Sequence, residues 1–115
     1  MRTVLLIDDA SLMRKLIQVH LTADCTVIGE AENGRIGVEK YKELKPDIVF
    51  LDNMMEDMGG LDALKEIIQY DANAKVIVVS SVIEQITEEA ISLGAKAVLN
   101  KPPSHEDVVA ALGKL

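Results

Sequence analysis

The stretch Pro46-Asp47-Ile48-Val49-Phe50-Leu51-Asp52 constrains this chain more than any other. Four large apolar residues stand together, with a proline shortly before them and an acidic residue straight after. A run that short and unbroken predicts a strand covered on both faces, as in a parallel sheet. A carboxylate at the carboxyl end of such a strand lies where open α/β sheets place their sites. Asp52 is therefore the first candidate for a reactive residue. The loop behind it, Asn53 to Gly60, carries two glycines and no apolar periodicity.

The rest of the chain alternates in kind. Thr3 to Ile7 is a β-rich apolar run that ends in Asp8-Asp9. Ala10 to Ala23 has Leu12, Leu16, Ile17 and Val19 at helical spacing, with Asp9 or Ser11 as candidate caps. Thr26 to Gly29 reads as a weaker strand, and the turn pair Asn33-Gly34 precedes a helix over Arg35 to Leu44. After the central strand, Leu61, Leu64, Ile67 and Ile68 form a helical stripe. Val76 to Val79 is a second unbroken β-branched run and ends in Ser80-Ser81. Ile83, Ile86, Ala90 and Ile91 mark a fourth helix, stopped by Gly94. Ala97 to Leu99 is a short fifth strand, followed by Asn100-Lys101-Pro102-Pro103. Ser104 opens the last helix, which carries Val108, Val109, Leu112 and Leu115; Ser104 and Asp107 have capping-box spacing.

Strand and helix thus alternate five times over 115 residues, enough for one domain, 1–115. The pattern predicts an α/β fold: a doubly wound, flavodoxin-like five-stranded parallel sheet, order 2-1-3-4-5, with helices on both faces. A net charge of −7 argues against a nucleic-acid surface. No apolar run is long enough to span a bilayer, so no membrane partner is expected. The single cysteine, Cys25, forms no internal disulfide, which suits a cytoplasmic location.

The chemistry stands at the strand ends: Asp8-Asp9 after the first, Asp52 after the third, Ser80-Ser81 after the fourth, Lys101 after the fifth. In the order 2-1-3-4-5 the winding reverses between strands one and three. The crevice there would hold three carboxylates, a hydroxyl and an ammonium. Hard oxygen ligands of this kind suit Mg²⁺. A carboxylate can also attack phosphorus and form an acyl phosphate. Taken singly, each residue has an ordinary reading as a turn, a cap or a solvated charge. The coincidence of complementary groups on one sheet edge favours a site. His20 and His105 have no metal-ligand spacing in sequence, and Met54, Met55 and Met58 read as packing.

These residues resemble the receiver domain of bacterial two-component response regulators, and within it the small chemotaxis regulators. The resemblance runs from Met1 to Leu115 and rests on Asp8-Asp9, Asp52, Ser80, Lys101-Pro102, Gly60 and Gly94-Ala95. It implies that Asp52 takes a phosphoryl group from a histidine kinase or a small phosphodonor. Mg²⁺ would be held by Asp8, Asp9, Asp52 and the Met54 carbonyl. Ser80 and Lys101 would contact the phosphoryl oxygens, and the Lys101-Pro102 bond would be cis. A downstream target would bind the face made by the fourth helix, fifth strand and fifth helix. Met54 and Val82 match positions that flank the approach of a hydrolytic water; both are apolar, so slow self-dephosphorylation and a separate phosphatase are expected. Such a chain is not an enzyme towards external substrates.

The sequence departs from the family pattern at Glu56, where proline is usual, and at Val98, where an aromatic is usual. Pro103 replaces another common aromatic, and the segment from Ser80 to Gly94 is one residue short. Two alternatives stay open. One is a degenerate receiver that binds partners without phosphorylation. The other is a phosphatase of the haloacid dehalogenase type, which needs an Asp-x-Asp nucleophile after the first strand; here the pair is adjacent. A flavodoxin-like FMN carrier lacks its phosphate loop here.

Overall fold

The computed structural model describes residues 1–53 and 58–115. Five strands alternate with five helices: β1 (Arg2–Ile7), α1 (Ser11–His20), β2 (Cys25–Ala31), α2 (Gly34–Leu44), β3 (Ile48–Asp52), α3 (Gly60–Tyr70), β4 (Val76–Ser80), α4 (Ile83–Ser92), β5 (Ala97–Asn100) and α5 (His105–Gly113). All strand pairs are parallel, in the order β2-β1-β3-β4-β5. The expected topology is the observed one.

Side-chain alternation along the strands divides the core in two. Leu5, Ile7, Val49, Leu51, Val76 and Val78 face one layer, where they meet Val38 and Tyr41 of α2, Leu64 and Ile67 of α3, and Ala90 of α4. Val4, Leu6, Ile48, Phe50, Ile77 and Val79 face the other, against Ile17 of α1 and Val108 and Leu112 of α5. Every residue of β3 and of β4 is buried, which is why those runs lack polar interruptions. The register brings Ile7 beside Leu51 and Asp52 beside Val79, so the three central strands end nearly level.

Three local expectations are corrected. β2 is longer than Thr26–Gly29 and runs from Cys25 to Ala31. It is an edge strand whose residues alternate between exposed and partly covered, and a bulge opposite Val4/Leu5 skips Ile28. An edge strand needs no continuous apolar run, so its ends carry little hydrophobic signal. Of the residues expected on the inward side of α1 only Ile17 is buried; beside it stand Met13 and, at the C-cap, Leu21. Leu12 is 68% exposed and Val19 76%, and Leu16 also faces outward. Spacing of four residues keeps Met13, Ile17 and Leu21 on one side, and only that side meets the sheet. Finally, neither Asp9 nor Ser11 caps α1. Ala10 is the N-cap and makes no side-chain cap; its N–H instead donates to Asp8 Oδ1 at 2.8 Å.

The Ser104 and Gly94 signals hold, and Asn33, expected only as a turn residue, proves to be the N-cap of α2. Asn33 Oδ1 accepts from the Ile36 N–H at 2.8 Å, and Ser104 Oγ from the Asp107 N–H at 3.0 Å. Gly94 follows the α4 C-cap Leu93 with φ of 113°, a conformation that favours glycine. His20 and His105, far apart in sequence, meet between α1 and α5 with ring centroids 5.4 Å apart.

The caps give a direct test. Ser104→Ala should destabilise the domain by about 1 kcal/mol, because it removes the acceptor for an otherwise orphaned helix N–H. Ser11→Ala should change stability by no more than about 0.5 kcal/mol, as Ser11 already lies inside its helix. Urea unfolding of the two variants beside the parent measures the difference.

Candidate functional site

The even ending of β1 and β3 gathers the acidic residues. Asp8 follows β1 directly and Asp52 is the last residue of β3; both are only 2% exposed. Asp9 is exposed at the rim. Asp8, Asp9 and Asp52 each bring a carboxylate oxygen to within 4.8 Å of the other two. From the far side, the Lys101 ammonium reaches Asp52 Oδ2 at 2.9 Å and stands 3.5 Å from Asp8 Oδ2. The Lys101-Pro102 peptide bond is cis.

Ser80 ends β4 and is fully buried. The register puts it one residue beyond Val79, the partner of Asp52. Its Oγ accepts the Val82 N–H at 2.9 Å, which ties the hydroxyl to the N-cap residue of α4. The Met54 carbonyl lies outside the described residues, as do Met55, Glu56 and Asp57. Val98 stands half-buried in β5 beside Val78, and Pro103 is buried.

Asn53 and Gly60, on either side of residues 54–57, lie close together. The Gly60 N–H donates to the Asn53 carbonyl at 3.1 Å. A Cβ at Gly60 would overlap the Asp52 carbonyl oxygen and Asn53 Cα, so only glycine lets α3 begin this close to the strand end. Gly34, which the sequence suggests only as a turn residue, is packed in the same way against the Met58 carbonyl. Contact between β2–α2 and Met58 is long-range and leaves no local sequence signal.

Electrostatics at the site are opposed. Burial raises the Asp8 carboxyl above its ordinary value, and the nearby Asp52 and Asp9 charges add to this; the Ala10 N–H and Lys101 pull the other way without cancelling it. For Lys101, burial acts to lower its value, but the hydrogen bond to Asp52 and the charges of Asp52 and Asp8 outweigh it, so the net shift is upward. The ammonium is thereby kept charged. Asp8 Oδ2 is buried and accepts no hydrogen bond among the described residues. A buried carboxylate oxygen that accepts no hydrogen bond, with the Lys101 ammonium 3.5 Å away and two further carboxylates within reach, fits a hard divalent cation such as Mg²⁺.

A buried carboxylate cluster with a paired lysine stands at the switch point of a 2-1-3-4-5 sheet, and its oxygens could hold a divalent cation. The comparisons then fix the family. The response regulator receiver domain matches residues 4–113, and the chain belongs to that family. The chemotaxis protein CheY of Thermotoga maritima is 50% identical over 116 residues, covering 99% of this chain and 97% of the relative. Among solved structures, the CheX–CheY–BeF₃–Mg²⁺ complex of Borrelia burgdorferi aligns with a TM-score of 0.91 at 32% identity, over 96% of this chain and 86% of that one. The response regulator domain of Thermotoga maritima CheB aligns with a TM-score of 0.86 at 35% identity, over 98% and 92%. As a receiver domain the chain acts in phosphorelay signal transduction. Among the described residues, no helix is long and apolar enough to cross a membrane.

The Asp8 shift carries a signed consequence. A carboxyl whose folded value is raised holds its proton more firmly in the folded state, so its contribution to stability is greatest at low pH and is lost as pH rises above 3.8 through the raised value. In metal-free protein, Asp8→Asn should therefore melt higher than the parent at about pH 7, and the gap should close as pH falls towards about 4. Melting curves in EDTA across that range test it; a variant that melts lower at neutral pH would show that Asp8 is not held against its charge.

Proposed function

We propose that residues 1–115 form one receiver domain that takes a phosphoryl group onto Asp52 and signals through changed partner affinity. The observation that carries this is the junction of Asp8, Asp9 and Asp52 within 4.8 Å, with Lys101 already on Asp52. An Asp52 carboxylate oxygen attacks the phosphorus of a kinase phosphohistidine or of a small phosphodonor. The bond from phosphorus to the leaving group breaks (phosphorus–nitrogen in phosphohistidine, phosphorus–oxygen in acetyl phosphate), its electron pair stays with the imidazole or the acetate, and an acyl phosphate forms on Asp52. Asp8, Asp9, Asp52 and the Met54 carbonyl are the residues that would hold Mg²⁺, which when bound neutralises charge on the phosphoryl oxygens. Lys101 is positioned to follow that charge from the carboxylate to the new group. Ser80 offers its hydroxyl from the neighbouring strand. The chain catalyses only its own phosphorylation and slow dephosphorylation and works in the cytoplasm, in a pathway of the chemotaxis type.

The partners follow from the same reading: a histidine kinase upstream, a target protein downstream, and a phosphatase. A groove of about 470 Å³ lies between α4, β5 and α5, lined by Ile83, Thr87, Val98, Asn100, Asp107 and Ala111 among others. It supports the α4–β5–α5 face as the target's docking surface. The complete acidic set weighs against a degenerate receiver, and the adjacent Asp8-Asp9 pair against a haloacid dehalogenase phosphatase.

Acetyl phosphate should label the parent only when a divalent cation is present, and Asp52→Asn should show no adduct by mass spectrometry. Beryllofluoride should shift the amide resonances of Ser80 to Glu84 and of the α4–β5–α5 groove. A retained adduct on Asp52→Asn would move the nucleophile to another carboxylate, and shifts confined to the Asp52 loop would favour the degenerate module.

Persistence of the signal is a separate expectation. Val82 is partly covered beside Ser80 and, with Met54, offers an attacking water no polar side chain. The Met54→Asn/Val82→Glu double variant should lose its phosphoryl group about ten-fold faster than the parent, since orienting the water is most of this catalysis. Equal decay would dismiss the apolar gate.

A further inference from the structure

Arg14, on the first turns of α1, has no place in the site just described, yet it grips that site from behind. Its side chain is only 16% exposed. The guanidinium donates in two directions: Nη1 to the backbone carbonyl of Asp8, and Nε to Glu30 Oε1 at 2.8 Å. The Asp8 N–H donates to the Ala31 carbonyl at 2.9 Å. Both backbone groups of Asp8 are thus fixed: the N–H directly by Ala31, and the carbonyl by Arg14, which Glu30, the residue before Ala31 in β2, holds in turn. Lys40 of α2 also holds this end of β2, by donating to the Glu30 carbonyl.

The Asp8 carboxylate is half-fixed as well, because Oδ1 accepts the Ala10 N–H at 2.8 Å. Oδ2 is buried, accepts no hydrogen bond among the described residues, and has the Lys101 ammonium 3.5 Å away. Three carboxylates this close repel one another, and a flexible β1–α1 junction would relieve that by swinging Asp8 away. We infer that Arg14, held by Glu30, is a positioning residue that fixes the Asp8 backbone so that Oδ2 stays aimed at the cation position. The inference rests on the Mg²⁺ reading above and adds to it a residue outside the ligand set. The planar fork of an arginine spans both acceptors; a lysine has a single ammonium to offer.

The sign of the effect separates positioning from charge. Deleting a positive charge near a cation site, with no other consequence, would tighten Mg²⁺ binding. Loss of positioning would loosen it, and partners behind metal ligands are typically worth about 10–100-fold in metal affinity. A role limited to gluing α1 onto β2 would lower the melting temperature without metal and leave the Mg²⁺ midpoint in place.

The experiment is a MgCl₂ titration of the full chain, read as the rise in melting temperature and as amide shifts near Asp8 and Asn53. The parent, Arg14→Ala and Arg14→Lys are compared. Arg14→Ala should raise the Mg²⁺ midpoint about ten-fold, and Arg14→Lys should raise it by a smaller factor although the charge is kept. Midpoints that fall or stay at the parent value in both variants overturn the inference. Should Arg14→Ala fail to fold, Arg14→Lys decides alone. A parent with no Mg²⁺ response would instead overturn the metal reading itself.

Discussion

Mutual repulsion of three carboxylates is the constraint on which the rest of this structure depends. Asp8 and Asp52 are almost wholly withdrawn from water, and Asp9 stands beside them. Water does not screen such groups well, so something else must hold them together. Part of the answer is covalent geometry. Each acidic residue continues a strand whose apolar side chains are locked into the core, so moving the carboxylate means moving the strand. The other part is Lys101, delivered from the opposite side by β5. Removing one partner of a buried ion pair typically costs about 3–5 kcal/mol, because the remaining charge is stranded. Lys101 is part-exposed, so the lower end applies.

That arrangement explains which features could be read from the sequence. β1, β3 and β4 are buried on both faces, so their apolar runs are continuous and their ends are marked by the first polar residue. In this fold those first polar residues make up the candidate site. Asp8, Asp52 and Ser80 were therefore legible for the same reason that the strands were. β2 was blurred because an edge strand is half-solvated, and its bulge breaks the period of two. The α1 stripe was misread apart from Ile17, because Leu12, Leu16 and Val19 look like core in composition while Met13, Ile17 and Leu21 hold the inward side. Arg14 was illegible for a different reason. Its partners, Asp8 and Glu30, lie six residues before it and sixteen after it, and no local spacing announces a contact between a helix and the end of an edge strand.

Glycines make the same point about long-range packing. Gly60 is needed because α3 begins against the Asp52–Asn53 backbone, and Gly34 because α2 begins against the Met58 carbonyl. Both contacts fix how the chain leaves and re-enters the acidic edge. Resemblance to a family singles out Gly60, but only the structure shows what its missing side chain makes room for.

The route from site to surface is short. Ser80 Oγ accepts a hydrogen bond from the N–H of Val82, the N-cap residue of α4. The same Ser80 pairs with Asn100 across the sheet, and Asn100 lines the groove between α4, β5 and α5. A rotation of the Ser80 hydroxyl towards Asp52 would have to give up or drag along its hydrogen bond to the α4 N-terminus. An aromatic ring in β5 is not required for that linkage. Val98 is too small to fill two alternative positions as a ring can, and it already packs on the Val78 side of the sheet. What ties the hydroxyl at the end of β4 to the start of α4 is instead the hydrogen bond from the Val82 N–H to the Ser80 side chain. Its strength, about 1 kcal/mol for an ordinary hydrogen bond, matches what a population shift of a few-fold needs.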